Sequence, residues 1–376
     1  MKTTTLLFTS LLGFFFMTTA QTIVNTGTGN KHVILEEFTG IKCGNCPGGH
    51  TTIDNITASN PNTVHVIAYS PGNSSYTDPG TTGGADFRRS FGEAFYTSTY
   101  CSPSSGSRFM PSAFINRRLV SGDILTGTTS WTSETNTTLT EISPMNVGIK
   151  STYNSNTQTL TIDVEVYYTA SVTNNNSLYI MITEDNLTST HQSGSNASPS
   201  NPYVYTHTFR ENVSSGQWGD AITGATTQGS LYTTQYVFDL STAIDPINIS
   251  DAHIVAFVVD ANSSNKEVYT GISASADGGQ ASTGGGSTGI ENIDNTISVN
   301  SYPNPSNGNV TINIEGEKVN KFEIFNVLGK VIYVQNINSS NKQLVNLTEN
   351  VFLSRGTYFV KVSGTNYSKT DHLIVN

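Results

Sequence analysis

Two of the three cysteines in this chain stand as Cys43-Gly44-Asn45-Cys46. They follow the apolar run Val33-Ile34-Leu35 and the stretch Glu36-Glu37-Phe38, which read together as a strand. They precede a segment that can open a helix at Pro47. A strand that ends in C-x-x-C and hands over to a helix holds two thiols within reach of each other, and such a pair can open and close a disulfide. With three cysteines in 376 residues, a pair at this spacing is not incidental packing. The same scarcity excludes a disulfide-stapled miniprotein. Buried cores must hold the fold, and the length suits two or three domains.

Residues 1–20 read as a secretory signal: Lys2 is the charged start, Leu6 to Met17 are largely apolar, and Thr18-Thr19-Ala20 supplies small residues before Gln21. Export provides a compartment in which disulfides persist. No later stretch is long and apolar enough for a transmembrane helix. Charged residues make up only 12% of the chain and the net charge is -10, which gives no electrostatic footprint for nucleic acid. The abundance of Thr, Asn, Ser and Tyr suits extracellular β structure.

Residues 31–142 mix strand and helix signals. Strands are expected at Val33 to Phe38, Val64 to Tyr69 and Ala113 to Asn116, with Leu119-Val120 pairing to the last through a turn. Helices are expected at Cys46 to Ser59, at Ala85 to Thr97, where Phe87, Phe91 and Phe95 recur at spacing four, and at Ser130 to Ile142. Residues 143–272 change character. Leu160, Ile162, Val164 and Val166 alternate with polar residues, and further β runs follow at Leu178 to Thr183, Tyr203 to Phe209, Tyr232 to Leu240 and Ile254 to Asp260, as in an antiparallel sandwich. Residues 273–297, rich in Gly, Ser and Thr, read as a linker. From 298 a third β module begins, with Val310, Ile312 and Ile314 alternating and Leu328-Gly329-Lys330 as a hairpin turn.

At a helix start the first thiol of a C-x-x-C feels the helix dipole, which favours its thiolate. Lys42 beside Cys43 pushes the same way. Cys46 then resolves a mixed disulfide, which requires a proton acceptor nearby, and Glu37 on the preceding strand is the candidate. Pro111, in a cis peptide, would present backbone opposite the pair for docking. An inert bridge is the alternative. A metal is a third reading, since His50 lies four residues after Cys46, but no second C-x-x-C completes a zinc site. Pro47 directly after Cys46 excludes c-type haem attachment. No cofactor is expected. Cys101 reads as a buried thiol. His191, His207 and His253 read as sheet residues. Arg210, Trp218 and Asp220 are candidates for a glycan or peptide groove, with packing favoured, and Glu184-Asp185 for a solvated turn.

The segment Glu37-Phe38-Thr39-Gly40-Ile41-Lys42-Cys43-Gly44-Asn45-Cys46-Pro47 resembles a thioredoxin-fold active site. In that resemblance Glu37 falls at the buried acid and Met110-Pro111-Ser112-Ala113-Phe114-Ile115 at the cis-proline loop. The chain departs from thioredoxins in having Lys42 in place of tryptophan, Thr39 in place of an aromatic residue, and Pro47 after the pair. More broadly, residues 31–270 resemble the 28-kDa outer-membrane-protein-related family, through the Glu36-Glu37-Phe38-Thr39-Gly40 lead-in, Phe114-Ile115-Asn116-Arg117, His207-Thr208-Phe209-Arg210 and Trp218-Gly219-Asp220. Residues 298–376 resemble a type A sorting domain of the type IX secretion system, through Tyr302-Pro303-Asn304-Pro305-Ser306-Asn307-Gly308, Phe325-Asn326-Val327-Leu328-Gly329-Lys330-Val331, Leu353 to Val362 and the terminal Leu373-Ile374-Val375-Asn376. That resemblance implies the type IX secretion machinery as partner, passage across the outer membrane, removal of the module at or near the linker, and a secreted or surface-attached product.

The expected architecture is a thioredoxin-like domain (31–142), an antiparallel β-sandwich (143–272) and an immunoglobulin-like C-terminal sandwich (298–376). Two functions stand. One is a thiol-disulfide oxidoreductase acting on disulfide-containing extracytoplasmic proteins through Cys43, Cys46, Glu37 and Pro111. The other is a non-catalytic surface protein whose sandwich contacts glycans or proteins. Outside the outer membrane no reducing partner is evident, so the pair is expected to rest as a disulfide.

Overall fold

The computed structural model describes residues 22–80, 84–97, 99–189, 203–284, 298–306, 310–315, 319–326, 330–339, 342–347, 353–364 and 368–376. The expected signal segment 1–20, His191, and the Leu328-Gly329 part of the expected hairpin turn lie outside these residues.

The first half follows the expected order: β1 (Val33–Phe38), α1 (Cys46–Ser59), β2 (Val64–Tyr69), α2 (Ser90–Thr97), β3 (Ser112–Ile115) and α3 (Thr128–Leu139). β1 lies parallel to β2 and antiparallel to β3. Successive side chains of a strand face opposite sides. Val33 and Leu35 therefore pack with Ile53 and Ile56 of α1 and Trp131 of α3. Ile34 and Phe38 pack on the other side with Tyr69, Phe95 and Phe114. Each such side chain contributes roughly 1.5–3 kcal/mol of burial.

Two local expectations are corrected. The helix expected from Ala85 begins only at Ser90. The Asp86 carboxylate accepts from both the backbone N–H and the guanidinium of Arg88, and Arg89 N–H bonds Ser70 O. These bonds hold residues 86–89 against the end of β2 instead of in a helical turn. Phe87 consequently joins Ile41 and Tyr205, apart from Phe91 and Phe95. The second correction concerns Leu119-Val120. Val120 bridges Asp123, and Thr126 is the residue that pairs with Ala113.

The second half supplies β4 (Met145–Asn154), β5 (Thr159–Tyr168), β6 (Asn176–Glu184), β7 (Leu187–Ser189), β8 (Tyr203–Tyr205), β9 (Thr208–Asn212), β10 (Asp220–Ala221), β11 (Leu231–Asp239), β12 (Ala252–Asp260), β13 (Val268–Ser275) and β14 (Gln280–Ser282). The run expected as one strand from Tyr203 to Phe209 is two, separated at His207, whose φ is 55°. β6, β9, β12 and β13 continue the first sheet, in the order β13-β12-β6-β9-β2-β1-β3. The sheet thus runs without a break across residue 142. A second sheet, β11-β5-β4-β14, covers its far face. Val147, Ile149, Leu160, Ile162, Val164 and Val166 meet Leu178, Ile180, Ile182, Ile254, Ala256 and Val258 between the layers, which makes the sandwich. The segment read as a linker from 273 opens in strand: β13 runs through Ser275, and Gln280–Ser282 pairs with β4. Residues 285–297 lie outside the described residues.

The C-terminal module comprises β15 (Ser298–Tyr302), β16 (Thr311–Glu315), β17 (Val319–Asn326), β18 (Val331–Ser339), β19 (Lys342–Asn346), β20 (Gly356–Gly364) and β21 (Ser368–Val375). They form two sheets, β15-β16-β19 and β18-β17-β20-β21. The expected alternation holds: Val310, Ile312 and Ile314 face inward against Phe322, Ile324, Val360, Val362 and Leu373.

Candidate thiol–disulfide site

Cys43 and Cys46 are joined in a disulfide, with Cα atoms 5.4 Å apart. Both are buried. The turn that carries them is built from backbone bonds: Cys43 N–H to Gly40 O (3.0 Å), Cys46 N–H to Cys43 O (3.2 Å) and Lys42 N–H to Tyr76 O (2.7 Å). Gly40 is required for this close passage. A Cβ there would lie 2.4 Å from Tyr76 O. Cys46 is the first residue of α1 and Pro47 follows within its first turn, where a missing N–H costs nothing. The positive end of the helix dipole lies at the disulfide and favours a thiolate there.

Glu37 and Pro111 meet at Gly49, one helical turn beyond Cys46. A Cβ at Gly49 would fall 2.8 Å from Pro111 Cβ and 3.2 Å from Glu37 Oε1. The Met110–Pro111 peptide is cis. Glu37 is fully buried, and its Oε1 has no hydrogen-bond partner. Burial, reinforced by the charge of Asp54, holds its carboxyl well above the usual range, so it keeps its proton.

A cavity of 20 Å³ adjoins Glu37, with Thr39, His50, Asp54, Tyr205 and His207 among its lining residues. That is room for about one water molecule. His50 Nε2 lies 3.6 Å from Glu37 Oε1 and 2.9 Å from Thr39 Oγ1. His50 Nδ1 lies 2.6 Å from the Tyr203 hydroxyl. Burial, with a smaller contribution from nearby His207, lowers His50 to about 4, so the ring is neutral near pH 7. Burial pushes Tyr203 up to about 12.

The other candidates lie elsewhere. Cys101 is a buried free thiol, pushed up to about 12 by burial. Arg210 is buried and pairs with Glu184 at 2.8 Å. Trp218 packs edge-on against Phe95 and Tyr100. Asp220 accepts from the Tyr236 hydroxyl at 2.9 Å. Asp185 lies between His207 (3.5 Å) and His253 (3.3 Å). Among the described residues no group of three or more His, Cys, Asp or Glu side chains is arranged to hold a metal. Sequence reasoning missed Tyr203, which arrives from β8. It also missed the partner of Glu36: Arg117 grips that carboxylate through Nε and Nη2, both at 2.7 Å.

Residues 102–271 match the family described as Outer membrane protein Omp28, and residues 300–376 match the Secretion system C-terminal sorting domain. Among solved structures the chain is similar to HBP35 of Porphyromonas gingivalis at 19% identity, covering 93% of this chain and 100% of that one, with a TM-score of 0.52. That likeness shows a shared fold. A protein of Agrobacterium tumefaciens is similar at 11% identity over 70% of this chain and 99% of its own, with a TM-score of 0.40. No curated protein matches the sequence. The Omp28 match begins after the cysteine pair, so over residues 31–101 the thioredoxin-like assignment stands on the fold and the site geometry. The chain is a secreted or cell-surface thioredoxin-like protein, exported by the type IX secretion machinery through its C-terminal sorting domain. No helix among the described residues is long and apolar enough to cross a membrane.

Proposed function

We propose that this chain accepts two electrons from dithiols of extracytoplasmic proteins through its Cys43–Cys46 disulfide. A substrate thiolate attacks Cys43 Sγ, the Cys43–Cys46 bond breaks, and Cys46 leaves as a thiolate. The Glu37 carboxyl supplies the proton that Cys46 takes up. The second substrate thiol gives up its proton to solvent and attacks the substrate sulfur of the mixed disulfide. Substrate leaves oxidised, and Cys43 departs as a thiolate at the helix N-terminus. Pro111, seated against the first turn of α1, is the docking element for the substrate backbone.

One observation carries this reading: Glu37 Oε1 is buried without a hydrogen-bond partner beside that first turn. An orphaned buried carboxyl oxygen is costly. Such an arrangement is characteristic of a functional acid with a shifted pKa. The test mixes the oxidised full chain with a reduced dithiol peptide and follows both by mass. Stoichiometric peptide disulfide and two new protein thiols are expected, and neither with Cys43→Ser. A peptide that stays reduced beside the unmodified protein contradicts the proposal.

A further inference from the structure

A buried acid that protonates a leaving thiolate must itself be reprotonated, and Glu37 is sealed from solvent. The geometry points to a built route for that proton: Tyr203 and His50 form a conduit from the protein surface to the Glu37 carboxylate. This inference rests on the exchange reading above and deepens it.

Three observations place the route. Tyr203 is half-buried and its hydroxyl is the atom that meets His50, so that hydroxyl is the point of entry for a proton from solvent. His50 bridges the two groups, with Nδ1 at 2.6 Å from the Tyr203 hydroxyl and Nε2 at 3.6 Å from Glu37 Oε1. The cavity beside Glu37 has room for about one water, enough to bridge the last gap. A neutral imidazole suits the task because it donates from one nitrogen while accepting at the other. In the arrangement that serves, the Tyr203 O–H donates to Nδ1 and the Nε2–H faces Thr39 Oγ1 and Glu37. After Glu37 has given its proton to Cys46, Nε2 passes one to the carboxylate, Tyr203 passes one to Nδ1, and solvent restores Tyr203. A flip of the imidazole tautomer then resets the chain. No electrons move along it, and one proton enters for each one that Cys46 takes.

Asp54 and His207 line the same cavity. Asp54 acts on Glu37 through its charge, and the geometry gives it no hydrogen bond to Glu37 or His50. Tyr203 and Tyr205 come from β8, outside the β1–α3 unit, and both pack against the His50 ring. The second half of the chain therefore completes a site whose cysteines belong to the first. His50 and Tyr203 are positioning residues that act through Glu37.

The test uses a pH indicator to measure the rate of the proton uptake that follows opening of the disulfide by dithiothreitol in the full-length wild type, Tyr203→Phe and His50→Gln, together with the midpoint potential. Tyr203→Phe keeps the ring and removes only the hydroxyl. Its rate is expected to fall about a hundredfold, the low end of general acid–base catalysis, with the potential unchanged. Added imidazole buffer, as an external proton carrier, is expected to restore the rate in both variants. A wild-type rate in Tyr203→Phe overturns the conduit, as does a slow rate that imidazole does not restore. A wild-type disulfide that dithiothreitol does not open overturns the exchange reading itself and the conduit with it.

Discussion

Glu36 and Glu37 are neighbours in sequence, yet they face opposite sides of one strand and live opposite lives. Glu36 is gripped at two points by Arg117, 2.7 Å at each. The guanidinium lies over the rings of Phe95, Tyr179 and Phe257 at 4.7, 4.8 and 5.4 Å. Glu37 leaves one oxygen without a partner beside the helix that starts at Cys46. Two adjacent buried carboxyl groups are thus divided between holding the core together and serving the disulfide.

Glu37→Gln separates stability from function. The folded-state carboxyl titrates well above its ordinary value of 4.5. Its contribution is intact at pH values below that, where folded and unfolded chains both hold the proton. As pH rises, the unfolded chain releases its proton first, and stability falls until the folded-state pKa is passed. At about pH 8, Glu37→Gln is therefore expected to be more stable than wild type by about 1–3 kcal/mol. The difference should vanish below about pH 4. Denaturant unfolding across this range checks it, and the same variant should open its disulfide at least about tenfold more slowly.

Gly49→Ala tests the contact between α1 and Pro111. Alanine favours a helix over glycine by about 1 kcal/mol. The new methyl, however, would sit 2.8 Å from Pro111 Cβ, and overpacking of that kind costs about 1–3 kcal/mol. A net loss of stability is expected by chemical denaturation. The solvent-facing Gly48, where a Cβ meets nothing within 4 Å, should instead gain from the same substitution.

Arg117→Met leaves the buried Glu36 carboxylate without its countercharge, with the Tyr69 hydroxyl still donating to Oε1 at 3.1 Å, and is expected to cost about 3–5 kcal/mol. Adding Glu36→Leu should recover part of that loss, because the strand then buries an apolar side chain in place of an orphaned charge. A double-mutant cycle measured by urea unfolding gives the coupling. Additive single losses would show that the pair is not coupled.

Much of this was legible in the sequence, and the exceptions have physical causes. β1, α1 and β2 follow from local signals: an apolar run, a helix start at Pro47, and Asn60-Pro61-Asn62 as a stop. β1 is buried on both faces, so no alternation reveals which glutamate faces which side. The Tyr203–His50 bond joins residues 153 apart, and only strand pairing brings them together. The continuous sheet is hidden for the same reason. Residues 143–272 show the alternation of a sandwich, and nothing in that pattern tells that β9 pairs with β2. β4 carries only Val147 and Ile149 around Gly148 as an alternating signal, too short to mark a ten-residue strand without its partner β5.

Cys101 is expected to be chemically silent. Burial pushes its thiol up to about 12, and a thiol rather than a thiolate is a poor nucleophile. Without reductant, the native protein should resist iodoacetamide at about pH 8. Denaturation should expose one reactive thiol per chain, since the other two cysteines are bridged. Ready alkylation of the native protein would contradict this.

The central claim is that Cys43–Cys46 exchanges with protein thiols outside the cytoplasm. The most direct measurement is a trap that runs the exchange in reverse. On intact cells the Cys43 thiolate of full-length Cys46→Ser attacks the disulfide of an oxidised substrate, the mixed disulfide cannot resolve, and it is separated without reductant and identified by mass. The account predicts adducts on Cys43 that dithiothreitol releases and that are absent when both cysteines are serine. A Cys46→Ser protein with no more adducts than the doubly substituted one would contradict it.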